Sequence, residues 1–362
     1  MKPYPSRKWP LVVYLLLCSL LAISSCADDD DALPITIPPA DSLERVTEIS
    51  GIQVTGITVS DAGRIFTTFP RWREGVPYTL AELVDGQPRP YPSTELNAWD
   101  VGQAPGDKLV NVQSAIAVGD TLYVGDTRNP LMEGLITQPR IHLFDLRTDE
   151  LLRTYELAPS ATVQATYVND LRVDRGRQLV YFTDSGEGAL MVLDLQSGES
   201  WRHLDGHPSV QAEVDTLNIA GTPFTQKIPS DGIAIDTVGG RLLYHALSGY
   251  TLHAIALDAL AQRDTATAAA AVTTVATTPA PDGMWRLTGG TIMADLEAQA
   301  VVFVTDGGQV TTLVEGPEVG WADTFSAGDG FLYFTNSKLQ EAGVGKDVSG
   351  MTFPIYRIPL PE

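Results

Sequence analysis

Asn169-Asp170-Leu171-Arg172-Val173-Asp174, returning after a short turn as Leu179-Val180-Tyr181-Phe182-Thr183-Asp184, is the stretch that decides the fold. A polar pair opens an apolar run, an acidic residue closes it, and an aromatic-rich run comes back. Two short strands joined by a tight turn read this way. The phrase recurs along the chain. Upstream stand Thr55-Gly56-Ile57-Thr58-Val59, turning into Ile65-Phe66, and Gln113-Ser114-Ala115-Ile116-Ala117-Val118, turning into Leu122-Tyr123. Downstream come Ser230-Asp231-Gly232-Ile233-Ala234-Ile235-Asp236 with Arg241-Leu242-Leu243-Tyr244, and Gly289-Gly290-Thr291-Ile292-Met293-Ala294-Asp295 with Ala300-Val301-Val302-Phe303. The last copy is Ala322-Asp323-Thr324-Phe325, with Phe331-Leu332-Tyr333-Phe334.

With Gly56, Ser114, Asp170, Gly232, Gly290 and Thr324 taken as equivalent, the copies step by 58, 56, 62, 58 and 34 residues. Four strands and their turns need roughly 40 to 60 residues, the scale of a propeller blade. The expected fold is therefore all-β, a six-bladed β-propeller; a β-sandwich has no need of such self-similarity. Closure is expected from the ends, the stretch from Val46 to Ile52 completing the last blade beside the alternating strand around Ile355–Leu360. A closed ring removes the open sheet edges that invite aggregation. One segment departs from the pattern. Asp258 to Val272 is rich in Ala, a strong helix former, and predicts a short helical insertion between blades four and five, capped by Asp258, with loop to Pro281.

The N-terminus has its own signature. Lys2, Arg7 and Lys8 precede an apolar run from Leu11 to Ile23, thirteen residues long. A membrane span needs about 20, so this is the length of a signal-peptide core. Ile23-Ser24-Ser25-Cys26 resembles a bacterial lipobox, with Cys26 the lipidated residue; the bland alternative is an ordinary secretory signal cut near Ser25. Asp28 to Asp31 and Pro34, Pro38 and Pro39 then make an acidic, extended tether. The expected organisation is a lipoprotein signal peptide at 1–25, a tether at 26–45 and the propeller at 46–362. Ala27 after the cysteine points away from inner-membrane retention. The expected location is extracytoplasmic, as an outer-membrane lipoprotein facing the periplasm or the cell surface, held to the membrane through Cys26 and monomeric. The only cysteines are Cys18 and Cys26, so the propeller has no disulfide. The chain carries −21, and −24 once Lys2, Arg7 and Lys8 are removed. Such a surface repels nucleic acid.

The units resemble the major royal jelly/yellow protein family. The likeness is densest from Asn169-Asp170 through Asp184-Ser185-Gly186 to Leu195, with Ser200-Trp201-Arg202 and His207-Pro208-Ser209-Val210 following. Asp231-Gly232-Ile233-Ala234, Gly289-Gly290, Trp321-Ala322-Asp323-Thr324 and Asn336 continue it toward the C-terminus. The resemblance implies a six-bladed propeller with a ligand-binding central tunnel, mostly secreted members, and in some insect members binding of biogenic amines or a link to dopachrome conversion. The family's extracellular cysteines are missing here, so its disulfides do not carry over.

Polar residues at the starts of the innermost strands converge on the central channel. Here they are Gln113, Asn169, Asp170, Asp231 and Asp323. Local turn chemistry accounts for any one of them; an inward row of carboxylates is costly unless occupied or solvated, which favours a shared ligand site. Trp321, two residues before Asp323, is the foremost aromatic candidate for it, with Trp72, Trp99 and Trp285 as further stacking or cation–π candidates. Calcium is the candidate cation, through Asn169 and Asp231. A second resemblance, to regucalcin/gluconolactonase propellers, implies calcium-dependent lactone hydrolysis. It also asks for a first-blade glutamate and a fifth-blade aspartate, where this chain offers Val54-Thr55-Gly56 and Gly289-Gly290. His142, His203, His207, His245 and His253 lack zinc spacing, with His203 and His207 expected in a solvated turn. Ser185 lacks a nucleophile elbow, and no phosphate loop or dinucleotide fingerprint is present. Three readings remain: a binding propeller for a small polar or aromatic molecule, a cation-dependent lactone hydrolase or isomerase, and a surface interaction scaffold.

Overall fold

The computed structural model describes Met1, Pro3, residues 35–39 and residues 42–361. The signal peptide, the lipobox with Cys26 and most of the tether lie outside the described residues. From Glu44 on, the chain forms six four-stranded antiparallel sheets. Alternating apolar and turn residues make each a meander in which strands pair in sequence order. Blade 1 runs Ile57–Val59, Ile65–Thr68, Leu80–Val84, Gln87–Pro90, and blade 2 runs Val112–Val118, Thr121–Asp126, Arg140–Asp145, Leu151–Glu156. Blade 3 is Val168–Asp174, Leu179–Asp184, Ala189–Asp194, Ser200–His203; blade 4 is Ser230–Asp236, Arg241–Ala246, Thr251–Ala256, Val272–Thr277. Blade 5 is Met284–Leu287, Gly290–Asp295, Ala300–Thr305, Val310–Glu315. Blade 6 takes Ala322–Gly328, Phe331–Asn336 and Thr352–Pro359 from the C-terminal end, and its outer strand, Glu44–Ser50, from the N-terminal end. Residues from Glu44↔Arg357 to Ser50↔Thr352 pair antiparallel, closing the ring as the sequence predicts.

Apolar layers between neighbouring blades hold the ring. Val168, Leu171, Val173 and Phe182 of blade 3 pack against Tyr123, Ile141 and Tyr155 of blade 2, for example. With no cysteine in the propeller, burial has to supply the stability.

Four expectations need correction. The helices, Leu257–Leu260 and Thr265–Ala270, lie inside blade 4, between its third and fourth strands, and not between blades 4 and 5. Val272–Thr277, expected as loop, is the fourth strand: its Thr-rich, exposed sequence suits an outer edge where β-branched residues pack on a pleated surface. Asp258 sits in the first turn and pairs with Arg177, while the cap is Asp264, accepting from the backbone N–H groups of Ala266 and Thr267. In blade 5, Gly290–Asp295 is the second strand, and the innermost is Met284–Leu287. The units are therefore aligned by Thr55, Gln113, Asn169, Asp231, Asp282 and Asp323, which step by 58, 56, 62, 51 and 41 residues.

The corrected alignment has a steric counterpart. Glycine follows the aligned residue in blades 1, 4 and 5, where the innermost strand passes closest to the next blade. A Cβ on Gly283 would stand 2.4 Å from the Asp323 carbonyl oxygen and 2.9 Å from the Phe325 ring. Gly283→Ala is expected to cost about 2 kcal/mol through overpacking. A urea midpoint that does not move would contradict this close approach.

Candidate functional site

The site begins with an irregularity in the backbone. In blades 2, 3, 4 and 6 the pairing of the first two strands slips just after its first residue pair. In blade 3, Val168 faces Asp184 and Leu171 faces Phe182, so that Asn169 and Asp170 share one opposing residue. Such a bulge bends the strand and re-aims its side chains. The residues inside the slips are the polar ones: Gln113, Asn169 with Asp170, Asp231 with Gly232, and Asp323 with Thr324.

Four of them, Gln113, Asn169, Asp231 and Asp323, meet in one buried chamber at the channel, with about 40 Å³ of free space. Gln113, Asn169, Ser185, Asp231, Asp282 and Asp323 form its polar wall; Trp72 and Tyr167 form an aromatic side; Met132, Gln226, Ile228, Leu247, Leu339 and Val344 complete the lining. Tyr167 is held rigidly, its hydroxyl accepting from Trp72 Nε1 at 2.6 Å and donating to Gln113 Oε1 at 2.8 Å. Asn169 Nδ2 donates to Ser185 Oγ at 2.8 Å, and that hydroxyl donates to the Ser230 carbonyl at 2.9 Å. Trp321 Nε1 donates to Asp282 Oδ2 at 2.6 Å.

Of the residues singled out from sequence, Gln113, Asn169, Asp231 and Asp323 line this chamber. Asp170 does not. It lies 3.8 Å from Arg172, whose guanidinium crosses to blade 5 and donates to the Met284 carbonyl at 2.7 Å. Trp321 is fully buried behind Asp282 against Phe224 and orients that carboxylate without touching the free space. Trp72 is the tryptophan in the wall. Trp99 is buried beneath the Arg71 guanidinium, and Trp285 sits half-buried on the innermost strand of blade 5. His203 is buried, its Nε2 within 3.2 Å of the Leu260 carbonyl, so the expected solvated turn does not include it. Asp282, Ser185 and Tyr167 of the wall escaped sequence reasoning. Asp282 had a legible signal: Pro281-Asp282-Gly283-Met284 repeats the Ser230-Asp231-Gly232-Ile233 phrase.

The electrostatics follow from packing acids together without water. Burial pushes Asp231 well above the usual carboxylate range, and the charges of Asp170 and Asp323 push further. Asp282 rises for the same reasons, burial first, then Asp323 and Asp231. Asp323 is pushed up to about 8, chiefly by burial. Burial also raises Asp170, opposed by Arg172. Like charges in a dry site cannot all ionise, so such clusters hold protons until a cation arrives.

Calcium fits this set poorly. The fifth-blade aspartate of the lactonase pattern is present after all, as Asp282, but the first-blade position is Thr55, whose hydroxyl faces Thr68. Calcium takes six to eight oxygens, and among the described residues no three His, Cys, Asp or Glu side chains are grouped to hold a metal ion. Nor is any described helix long and apolar enough to cross a membrane.

A groove of about 1090 Å³ lies beside the chamber and shares Met132, Tyr167, Ser185, Gln226 and Ile228 with it. Glu133, Glu187, Arg202, Asp205, Gln211 and Lys227 add a mixed polar rim.

Known proteins match both sequence and fold. Residues 120–280 match the major royal jelly protein family. Protein yellow of Drosophila subobscura is 30% identical over 151 residues, covering 38% of this chain and 27% of that protein. Protein yellow of Drosophila melanogaster is 31% identical over 157 residues, covering 38% and 28%. The chain thus spans little more than a quarter of the length of these relatives. Among solved structures, a gluconolactonase from Xanthomonas campestris superposes with a TM-score of 0.55 at 13% identity, covering 91% of this chain and 98% of that one. A luciferin-regenerating enzyme gives 0.54 at 12%, covering 88% and 95%. At such identities these two likenesses speak for the fold alone.

Proposed function

We propose, from the match of residues 120–280 to the major royal jelly protein family and the likeness to protein yellow, that this chain is a membrane-tethered, extracytoplasmic binding propeller that takes the ammonium head of a small amine into its central chamber. One observation carries the reading: Asp231, Asp282 and Asp323, from three consecutive blades, face the same small space. Uncompensated buried carboxylates are expensive, and an ammonium group cancels that cost with one charge and three donors. Trp72 and Tyr167 supply the aromatic side that a cation favours. An anionic ligand would meet three acids. The free space matches an ammonium group and excludes an aromatic ring, so the rest of the ligand belongs in the groove. Lipid attachment at Cys26 and the acidic tether after it would hold the domain outside the cytoplasm.

A panel of primary amines, catechols and lactones, followed by thermal shift, tests the proposal. A ligand at a hundred times its Kd stabilises the fold by about 2.7 kcal/mol. Amines should raise the Tm of the native protein and not that of Asp231→Asn. A folded protein that ignores every amine would sink this reading. The lactone-hydrolase alternative has Asp282 in its favour; it predicts instead a calcium-dependent shift with lactone turnover.

A further inference from the structure

Five residues line both the chamber and the groove: Met132, Tyr167, Ser185, Gln226 and Ile228. Tyr167 and Ser185 are fixed by hydrogen bonds, whereas the Met132 side chain has no such tie among the described residues. Its loop is unusual: Arg128, Leu131 and Met132 all have left-handed backbones, with φ of 51°, 60° and 56°. Each costs a non-glycine residue roughly 1 to 2 kcal/mol, and such residues cluster where surrounding structure over-determines a segment. The anchors here are specific. Arg128 is fully buried, 3.3 Å from Asp126, and donates to the Lys108 carbonyl at 2.9 Å. Asn129 accepts from the Gly134 N–H at 2.8 Å and donates to the Thr166 carbonyl at 3.0 Å. Leu131 N–H donates to the Arg71 carbonyl. The loop is pinned on both sides of Met132, a residue that is 41% exposed. An unbranched thioether with three rotatable bonds can swing aside without disturbing those anchors.

We propose that Met132 is the gate and size filter of the chamber: it swings to admit a slim cationic head from the groove and leaves the ligand's body lying in the groove. The proposal rests on the amine reading for its ligand and on the geometry of the loop for its motion. It selects an unbranched primary ammonium and refuses a quaternary one.

The gate can be tested with and without a ligand. Asn169 lines the chamber and not the groove, so Asn169→Cys puts a thiol behind the gate in an otherwise cysteine-free propeller. In the full chain, labelling at position 169 by a small methanethiosulfonate, read by peptide mass spectrometry, should accelerate at least tenfold when Met132→Gly is added. Glycine suits the left-handed backbone, so the variant should fold, and its Tm checks this. An unchanged rate overturns the gate. So does an equal acceleration by Ile136→Gly, an exposed residue at the end of the same loop, because the loop as a whole would then be loosening. With ligand, the native protein should bind n-butylamine and not tetramethylammonium, and Met132→Gly should bind both; a variant that still refuses tetramethylammonium overturns the size filter. If labelling accelerates but neither form binds any amine, the gate stands and the amine reading falls.

Discussion

Asp323→Asn is expected to stabilise the protein and disable the site together: at pH 8 the Tm rises by at least ~4 °C, while affinity for a primary amine falls by tenfold or more. Asp323 is 5% exposed and, among the described residues, has no ion-pair partner. The Thr324 hydroxyl donates to it at a long 3.3 Å, and the hydrogen bonds from Ser337 and Thr324 are too weak to offset its burial. With its proton held up to about 8, at that pH the protein keeps a dry carboxylate half-ionised, against the repulsion of Asp170. The neutral amide has the same shape and no such cost. Each unit of pKa displacement corresponds to about 1.4 kcal/mol, and a chain of this size gains roughly 2 °C per kcal/mol. Opposite movement of stability and affinity marks a binding residue. A structural acid would lose stability when amidated, so a lower Tm at pH 8 would overturn the assignment.

The second large effect is in pH. An unfolded aspartate releases its proton near 4, whereas folded Asp323 holds it to about 8. Between those limits the native state binds more protons than the unfolded state, so stability falls as pH rises. The slope between about 4 and 8 is about 1.4 kcal/mol per pH unit for each such group, whose stability contribution is fully present below about 4 and lost progressively toward 8. Asp231 and Asp282 are raised too and act in the same direction. The protein should therefore melt highest near pH 5. Amine binding runs the other way: the ammonium displaces protons, and affinity should climb about tenfold per pH unit for each proton released between pH 5 and 8. Calorimetry in buffers of different ionisation heats would show that release directly. Binding that is pH-independent over this range would mean that the cluster does not meet the ligand.

The repeat was legible because blade physics is local. Strand alternation, Asp and Gly at turns, and small residues at close approaches all recur in the sequence, and closure by Glu44–Ser50 follows from an unpaired strand at each end. Blade 5 was misaligned for a physical reason. Its innermost strand is only four residues, Met284–Leu287, and the longer apolar run Gly290–Asp295 imitates a first strand. That slip hid Asp282 although its own phrase, Pro281-Asp282-Gly283, was in plain view. The helices of blade 4 were visible as alanine, but their place inside the blade depended on recognising Thr-rich, exposed Val272–Thr277 as an edge strand. Asp170 and Trp321 were drawn toward the site by sequence proximity, whereas a bulge and a rotamer decide which neighbour faces the channel. Arg172 and the left-handed loop at Met132 left no such trace, since both are three-dimensional facts about who lies across from whom.

The pairing of Glu44–Ser50 with Thr352–Pro359 sets the order of events during folding. The first strand of the propeller has no partner until the last one has been made and moved across. Blades 1 to 5 can meander into shape as they emerge, yet the ring stays an open arc throughout that time. Maturation is complete only when the final segment arrives, so a chain cut short near its end is left with an unzipped sixth blade.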